Sequence, residues 1–247
     1  MSVLLIRANR NDRDKEVLAS RGFDVIVEPY LQIAQIDNPE GAARLLNALK
    51  SEADWLVVTS VNALHYWSNQ VEENSIAATI GARPELRIAA IGDTTATAVR
   101  NLGAREVVTP DEGTSRVLAD VLGEYRPGII VLPSGSISMR SIPDTLTPRG
   151  FTVLEETFYR TDVVDEPPST ADSLTGHGVD VVVFRSPSAV RAFKHFHQSI
   201  PEPVRLVASG PTTAAEILEA GWQTDATATN SSAEALADAV ARAVEKA

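Results

Sequence analysis

Residues 53–122 of this 247-residue chain recur, recognisably, at residues 179–240. The first stretch contains ADWLVVTSVNALHYW, RIAAIGDTTATAVRNLGA and SRVLADVL. The second contains VDVVVFRSPSAVRAF, RLVASGPTTAAEILEAGW and SAEALADAV. Ser60 aligns with Ser186, Gly92 with Gly210, and Gly103 with Gly221. The likeness extends to the amino-terminal segment, where residues 4–30 match 131–159 and pair Gly22 with Gly150, Glu28 with Glu156 and Tyr30 with Phe158. A duplication of this kind predicts two similar domains facing each other, with a ligand site between them, since clefts between domains are preferred sites.

Each copy alternates short β-branched runs with longer amphipathic stretches. Strands are expected at 3–7, 24–28, 55–59, 87–91, 106–108, 129–132, 152–156, 180–184 and 205–208, with a weaker one near 223–227. Several are almost wholly apolar, as buried parallel strands are. Helices are expected at 11–20, 40–51, 61–72, 93–102, 114–123, 139–149, 187–199, 211–220 and 232–246. Gly22, Gly103, Gly150 and Gly221 follow four of them, where a helix end favours glycine. The alternation predicts an α/β protein with open parallel sheets. The first copy is eight residues longer between its serine and its TTA motif, so SNQVEENSIAATIGARPE reads as a polar surface insertion.

Two divisions of the chain use the same strands. Cutting near residue 125 gives two consecutive halves. Alternatively, the segments YLQIAQIDNP (30–39) and YRTDVVDEPPS (159–169), the long links without helical period, are crossovers. Residues 40–158 then form one domain, and residues 1–30 plus 169–247 form the other.

Composition narrows the function. The chain has no cysteine, which excludes disulfides, thiolate metal sites and a cysteine nucleophile and fits a reducing compartment. Its start, MSVLLIRANR, does not read as a signal peptide, and no apolar run approaches the length of a membrane span. A cytoplasmic protein is expected. The net charge of −11 disfavours general nucleic-acid binding. It also requires any site for an anion to be locally positive or rich in backbone N–H donors. His195 and His197 lie two apart on a helix and face different ways, so no metal pair is expected. No nucleotide-binding glycine motif and no zinc-protease motif occurs.

Three duplicated sets of loops fall at strand carboxyl ends, where open α/β sheets bind ligands. They are Thr59-Ser60-Val61-Asn62 with Arg185-Ser186-Pro187-Ser188, Gly92-Asp93-Thr94-Thr95-Ala96 with Gly210-Pro211-Thr212-Thr213-Ala214, and Arg7-Ala8-Asn9 with Pro133-Ser134-Gly135. Ser, Thr and Asn are ordinary helix caps, so any single loop is explained by capping, and the threonines are expected to cap the helices they precede. Six such loops, three kinds each present twice, point to a cleft for anions or carboxylates. Arg7, Arg140, Arg160, Arg185 and Lys194 are candidate carboxylate partners, arginine being suited to bidentate pairing.

As an ordered set, these motifs resemble the uroporphyrinogen-III synthase family. The resemblance rests on Arg7, Thr59-Ser60, Ile91-Gly92-x-Thr94-Thr95-Ala96, Arg140, Tyr159-Arg160-Thr161, Ser186-Pro187-Ser188 and Gly210-Pro211-Thr212-Thr213-Ala214. It spans nearly the whole chain. It implies two flavodoxin-like doubly wound domains joined by a two-stranded connector, and therefore the interleaved division, with crossover linkers at 31–39 and 159–168. It also implies a cofactor-free, metal-free lyase that cyclises hydroxymethylbilane to uroporphyrinogen III, inverting ring D through a spiro intermediate and losing water. Such an enzyme serves haem, sirohaem or cobalamin synthesis, works as a cytoplasmic monomer and makes transient contact with hydroxymethylbilane synthase.

The implied substrate-binding positions are Arg7, Thr59, Ser60, Gly92, Thr94, Thr95, Arg140, Ser186, Ser188, Gly210, Thr212 and Thr213. Tyr159 is the matched candidate for proton donor. The chain departs from the family pattern at Arg185, where a hydroxyl residue is usual, at Pro133-Ser134-Gly135 in place of Arg-Gly, and at Ser209 in place of an apolar residue. Two other readings use the same loops: a two-domain small-ligand binding protein without catalysis, and an FMN-binding electron carrier.

Overall fold

The structure, a computed structural model, describes residues 1–9, 11–137 and 140–245. Its strands are β1 (Ser2–Leu5), β2 (Asp24–Val27), β3 (Leu31–Gln35), β4 (Trp55–Val58), β5 (Arg87–Ala90), β6 (Ile129–Gly135), β7 (Thr152–Val163), β8 (Val179–Phe184), β9 (Arg205–Ala208) and β10 (Ala226–Thr227). Its α-helices are α1 (Asp12–Ser20), α2 (Pro39–Ser51), α3 (Val61–Ser68), α4 (Ser75–Ala82), α5 (Asp93–Arg100), α6 (Ser115–Leu122), α7 (Ser141–Leu146), α8 (Pro187–Phe196), α9 (Pro211–Glu219) and α10 (Ala233–Glu245). Contacts divide the chain into two compact units: Met1–Ile33 with Thr161–Ala247, and Ala34–Arg160.

The first unit is a parallel sheet in the order β10-β9-β8-β1-β2. Counted along this unit's own strands, that is 2-1-3-4-5 read from the β2 edge, the flavodoxin-like doubly wound order. Strand alternation builds the two cores, because successive side chains leave a strand on opposite faces. Leu4, Ile6, Val182 and Phe184 meet Val190 and Phe193 of α8 and Ile217 of α9. Val3, Leu5, Val181 and Val183 meet Leu18 of α1 and Leu236 and Val240 of α10. These strands are apolar on both faces because both faces are covered.

The second unit is a sheet in the order β3-β7-β6-β4-β5, with β4, β5, β6 and β7 parallel. Leu56, Val58, Ile88 and Val131 pack beneath α2, α3, α4 and α5, and Trp55, Val57, Ile130 and Leu132 pack against α6 and α7. From β7 to β5 the order repeats the first unit's, starting from β6. The place of a fifth strand beside β5 is taken by an isolated bridge between Ala89 and Val108. Its two hydrogen bonds are Ala90 N–H to the Val108 carbonyl and Val108 N–H to the Ile88 carbonyl, both 2.9 Å. The expected strand at 106–108 is therefore reduced to one residue's pairing. Pro110, with no N–H to donate, follows two residues later. The fifth strand is instead β3, within a segment expected to be a link, and it lies hydrogen-bonded beside β7.

Several helices differ from expectation. The one expected at 61–72 stops at Ser68. Beyond it the Gln70 side chain accepts from Asn38 N–H at 2.6 Å and donates to the Ile36 carbonyl at 2.9 Å and the Tyr66 carbonyl at 3.2 Å. The supposed polar insertion contains α4, whose Ile76 and Ile80, four apart on one face, are buried in the core with Thr79. Their spacing was masked by polar neighbours. The expected helix at 139–149 is α7 followed by a 3-10 turn at Thr147–Arg149, residue 139 and the adjoining 138 lying outside the described residues, as does residue 246 of the last expected helix.

A hydrogen-bonded chain, buried at its Tyr30 end, ties the returning segment 169–170 into the first unit. Glu28 accepts from Ser169 N–H at 2.5 Å, from Thr170 N–H at 2.9 Å and from the Thr170 hydroxyl. Tyr30 Oη lies 2.7 Å from Thr170 Oγ1 and 2.9 Å from His197 Nε2. A carboxylate only accepts, so Thr170 gives its proton to Glu28, Tyr30 gives its own to Thr170, and His197 must carry its proton on Nε2. Burial raises the Glu28 carboxyl, but the hydrogen bonds from Ser169 and Thr170 outweigh it and hold the group below its usual range. Burial also pushes the Tyr30 phenol up to about 12 and the His197 imidazole down.

A buried neutral histidine costs nothing while the unfolded chain's histidine is also neutral. Below about pH 6.5 the unfolded chain takes up a proton that the native one resists. Thermal stability should therefore fall as pH drops from 7 to 5.5, above the range in which carboxylates titrate, and His197→Gln should flatten that slope. Melting curves across this range check it; identical slopes in both proteins would place the effect elsewhere.

Candidate active site

In the second unit the loop after β4 places Ser60 at the N-cap of α3, where its Oγ accepts from Asn62 N–H at 3.1 Å. Thr59 is half-buried beside it. Tyr159, near the end of β7, donates its phenolic hydrogen bond to Ser60 Oγ at 3.2 Å. Its ring stacks on Tyr66 of α3, centroids 6.0 Å apart and planes at 25°. Ser60 and Tyr159, 99 residues apart in sequence, thus form one hydroxyl pair.

The loop after β5 leads into α5 with Gly92 as N-cap. No side chain caps this helix, contrary to the expectation for its threonines. Thr95 is 5% exposed and faces the core, while Thr94 is exposed. The first intrahelical bond is Ala96 N–H to the Gly92 carbonyl, at 2.9 Å. The amides of Asp93, Thr94 and Thr95 therefore have no intrahelical acceptor, the ordinary state of a helix start. A Cβ placed on Gly92 would meet nothing within 4 Å, so the space beside this residue is open. Arg140 is exposed and reaches Asp144 Oδ1 at 3.5 Å, one turn on in α7.

The first unit repeats the arrangement. Ser186 caps α8 by accepting from Ala189 N–H at 3.3 Å, and its Oγ lies 2.9 Å from Ser188 Oγ. Gly210 precedes α9, again without a side-chain cap. Pro211 has no N–H, so Thr212 and Thr213 carry the free amides; Thr213 is 4% exposed and Thr212 exposed. The threonine side chains pack or face solvent, and none of them caps its helix.

Arg185 takes a different place from that expected of a carboxylate partner. Its Nε donates to Asp14 Oδ2 at 2.8 Å, its Nη2 to Asp14 Oδ1, and its Nη1 to the Ser231 carbonyl at 2.8 Å. Arg7 Nη1 is 3.8 Å from the same carboxylate, which is only 3% exposed. Asp14 neutralises the guanidinium that stands where the family usually has a hydroxyl. Nothing in the sequence spacing pointed to it, since the partners are 171 residues apart. Tyr66 was missed for the same reason, since its ring partner Tyr159 is remote in sequence.

A cavity of about 600 Å³ in the second unit opens elsewhere, at the amino ends of β4 and β5, lined by Trp55, Arg83, Arg87, Arg105 and Tyr125 among others. Arg87 lies over the Trp55 and Tyr125 rings at 5.5 and 5.4 Å. The end of α4 borders it, and helix carboxyl ends repel anions.

No helix among the described residues is long and apolar enough to cross a membrane. No curated protein matches the sequence. Among solved structures, a mutant uroporphyrinogen III synthase from the extreme thermophile Thermus thermophilus superposes with a TM-score of 0.64 at 18% identity, covering 100% of both chains. Uroporphyrinogen-III synthetase from Helicobacter pylori gives 0.63 at 15%, covering 97% of this chain and 98% of the other. At these identities the likeness shows the fold.

Removing Asp14 would leave the partly buried guanidinium of Arg185 without its carboxylate. Asp14→Ala should cost about 3–5 kcal/mol in urea unfolding, and the Asp14→Leu/Arg185→Met pair appreciably less. Equal losses would mean the ion pair is not what the two residues contribute. The sequence itself matches the family model for uroporphyrinogen-III synthase HemD over residues 12–238, and the chain belongs to that family.

Proposed function

We propose that this chain carries out its family's reaction by holding the substrate's carboxylates on open helix-start amides and by protonating the leaving hydroxyl from Tyr159. The family is a cyclising hydro-lyase: hydroxymethylbilane loses water and closes to uroporphyrinogen III with ring D inverted. The observation that carries the mechanistic reading is the hydroxyl pair of Tyr159 and Ser60 beside the open amides of α5.

The substrate carries acetate and propionate arms on every ring, and the protein carries net charge −11. Long-range attraction cannot gather such a ligand, so short-range donors must. Backbone N–H groups at helix starts bind anions without a basic surface. The loops at Thr59-Ser60 and Gly92-Thr94-Thr95 supply them in one unit, and those at Ser186-Ser188 and Gly210-Thr212-Thr213 in the other. Arg7 and Arg140 add guanidinium groups. Holding the two end rings in reacting geometry supplies part of the rate, up to roughly 7–11 kcal/mol in the best oriented systems.

The chemical step breaks the carbon–oxygen bond of the hydroxymethyl group. The departing oxygen takes the phenolic proton and leaves as water. The cation left on the first ring is attacked by ring D at its substituted carbon, giving the spiro intermediate, which reopens and recloses with the ring inverted. The proton lost as the last pyrrole regains aromaticity restores the phenol. In the free protein Ser60 Oγ accepts the phenolic hydrogen, which orients it; the substrate hydroxyl takes over that place.

We further read the protein as a cytoplasmic monomer in transient contact with hydroxymethylbilane synthase. The absence of cysteine fits a reducing compartment. The substrate's spontaneous closure to isomer I favours direct transfer.

Incubation with enzymatically generated hydroxymethylbilane should yield isomer III in excess of isomer I. No enrichment would refute the activity, and with it favour a binding protein without catalysis. Tyr159→Phe should lower kcat about 10²–10⁴-fold if the phenol is the general acid; a loss below threefold would remove that role. Thr95→Pro and Thr213→Pro each delete one amide at the helix start, and should raise KM more than they lower kcat; unchanged KM in both would exclude the amide cradle.

A further inference from the structure

We infer that Gly135, together with a β-bulge in β7, is a positioning residue that seats the Tyr159 phenol. The inference rests on Tyr159 being the proton donor only for its catalytic consequence. The seat itself stands on geometry within the second unit.

Strands β6 and β7 pair in regular register through Pro133 with Glu156 and Ser134 with Thr157. The next pair is Gly135 with Tyr159, so one residue of β7, Phe158, is skipped. Phe158 is fully buried and stacks on Trp67 of α3, centroids 6.3 Å apart, while its carbonyl accepts from Ile36 N–H at 2.9 Å. Its neighbour Tyr159 meets the preceding residue of the same helix, Tyr66, and reaches Ser60. Consecutive residues of a regular strand point to opposite faces. Here both turn to α3, which only the extra residue allows.

The bulge brings the tyrosine ring across the backbone of Gly135. A Cβ at Gly135 would lie 2.4 Å from Tyr159 Cζ, 2.6 Å from Cε1 and 2.8 Å from the phenolic oxygen. The clash falls on the reactive end of the ring, not its base. The ring has little room to yield, with Tyr66 against it, Ser60 Oγ holding its hydroxyl, and Ser136 N–H bound to its carbonyl at 2.8 Å. Glycine is needed at this position for the space its missing side chain leaves. Any other residue must move the phenol.

The test uses the full chain labelled with 3-fluorotyrosine, in which four tyrosines give four fluorine signals. Tyr159→Phe identifies the signal of residue 159. Gly135→Ala should shift the Tyr159 and Tyr66 signals and leave those of Tyr30 and Tyr125. It should also lower kcat about 10²-fold, the scale of an ångström misplacement, with KM within about threefold. In the Tyr159→Phe background the same substitution should cause no further loss, because both changes act through one group. An unchanged Tyr159 signal in the folded variant overturns the seat, as does an undiminished loss in the Tyr159→Phe background. A shifted signal with Tyr159→Phe fully active upholds the seat and removes the proton-donor role instead. Should Gly135→Ala not fold, Tyr66→Ala loosens the ring from its other side; an unmoved Tyr159 signal there overturns the clamp.

Discussion

Parallel pairing is the constraint on which both units depend. Strands that run the same way leave a sheet at the same edge, and a helix that returns the chain to the next parallel strand must begin there. Every such helix start brings backbone N–H groups without intrahelical partners. In this chain the serine loops are capped by their own hydroxyls, at Ser60 and Ser186, whereas the glycine loops before α5 and α9 have no side-chain cap. The duplicated sequence thus yields, twice over, one helix start capped at a single amide and one without a side-chain cap. A strongly acidic protein can bind a polycarboxylate at such places, because the donors act at hydrogen-bond range and their charge is partial.

Within that shared frame the two copies are not equivalent. The second unit carries the tyrosine pair, the bulge and Gly135. The first carries the buried Asp14–Arg185 pair at the corresponding serine loop and the Glu28–Thr170–Tyr30–His197 chain. Tyr30 aligns with Phe158, so equivalent positions were used differently: a buried hydrogen-bonding ring in one copy, a purely apolar one in the other. The difference shows how a duplicated fold acquires distinct side-chain networks by few changes.

The legible parts of the fold were those set by local period. The apolar runs at β4, β8 and β9 and the glycines behind α1, α5 and α9 read directly, since burial on both faces and left-handed helix ends demand those residue types. The misread parts have competing physics. Residues 106–108 have strand composition but too little partner to extend one. Segment 31–35 has no helical period and too weak an alternation to announce a strand, and its place is settled by hydrogen bonding beside β7. In α4, two isoleucines supply the buried face of a segment that is otherwise small and polar.

By itself the sequence determined the open parallel α/β class, the duplication, the loops that end the strands and, through their order, the resemblance to the family. These follow from residue type and short spacing, which local backbone and burial preferences translate directly. Tertiary structure alone decided which side chains meet: Tyr159 with Ser60, Arg185 with Asp14, and Gly135 beneath the phenol. Each partner is remote in sequence, and in the last case a skipped residue in a β-ladder reverses the face that alternation assigns. A strand's period carries no sign of the bulge that interrupts it.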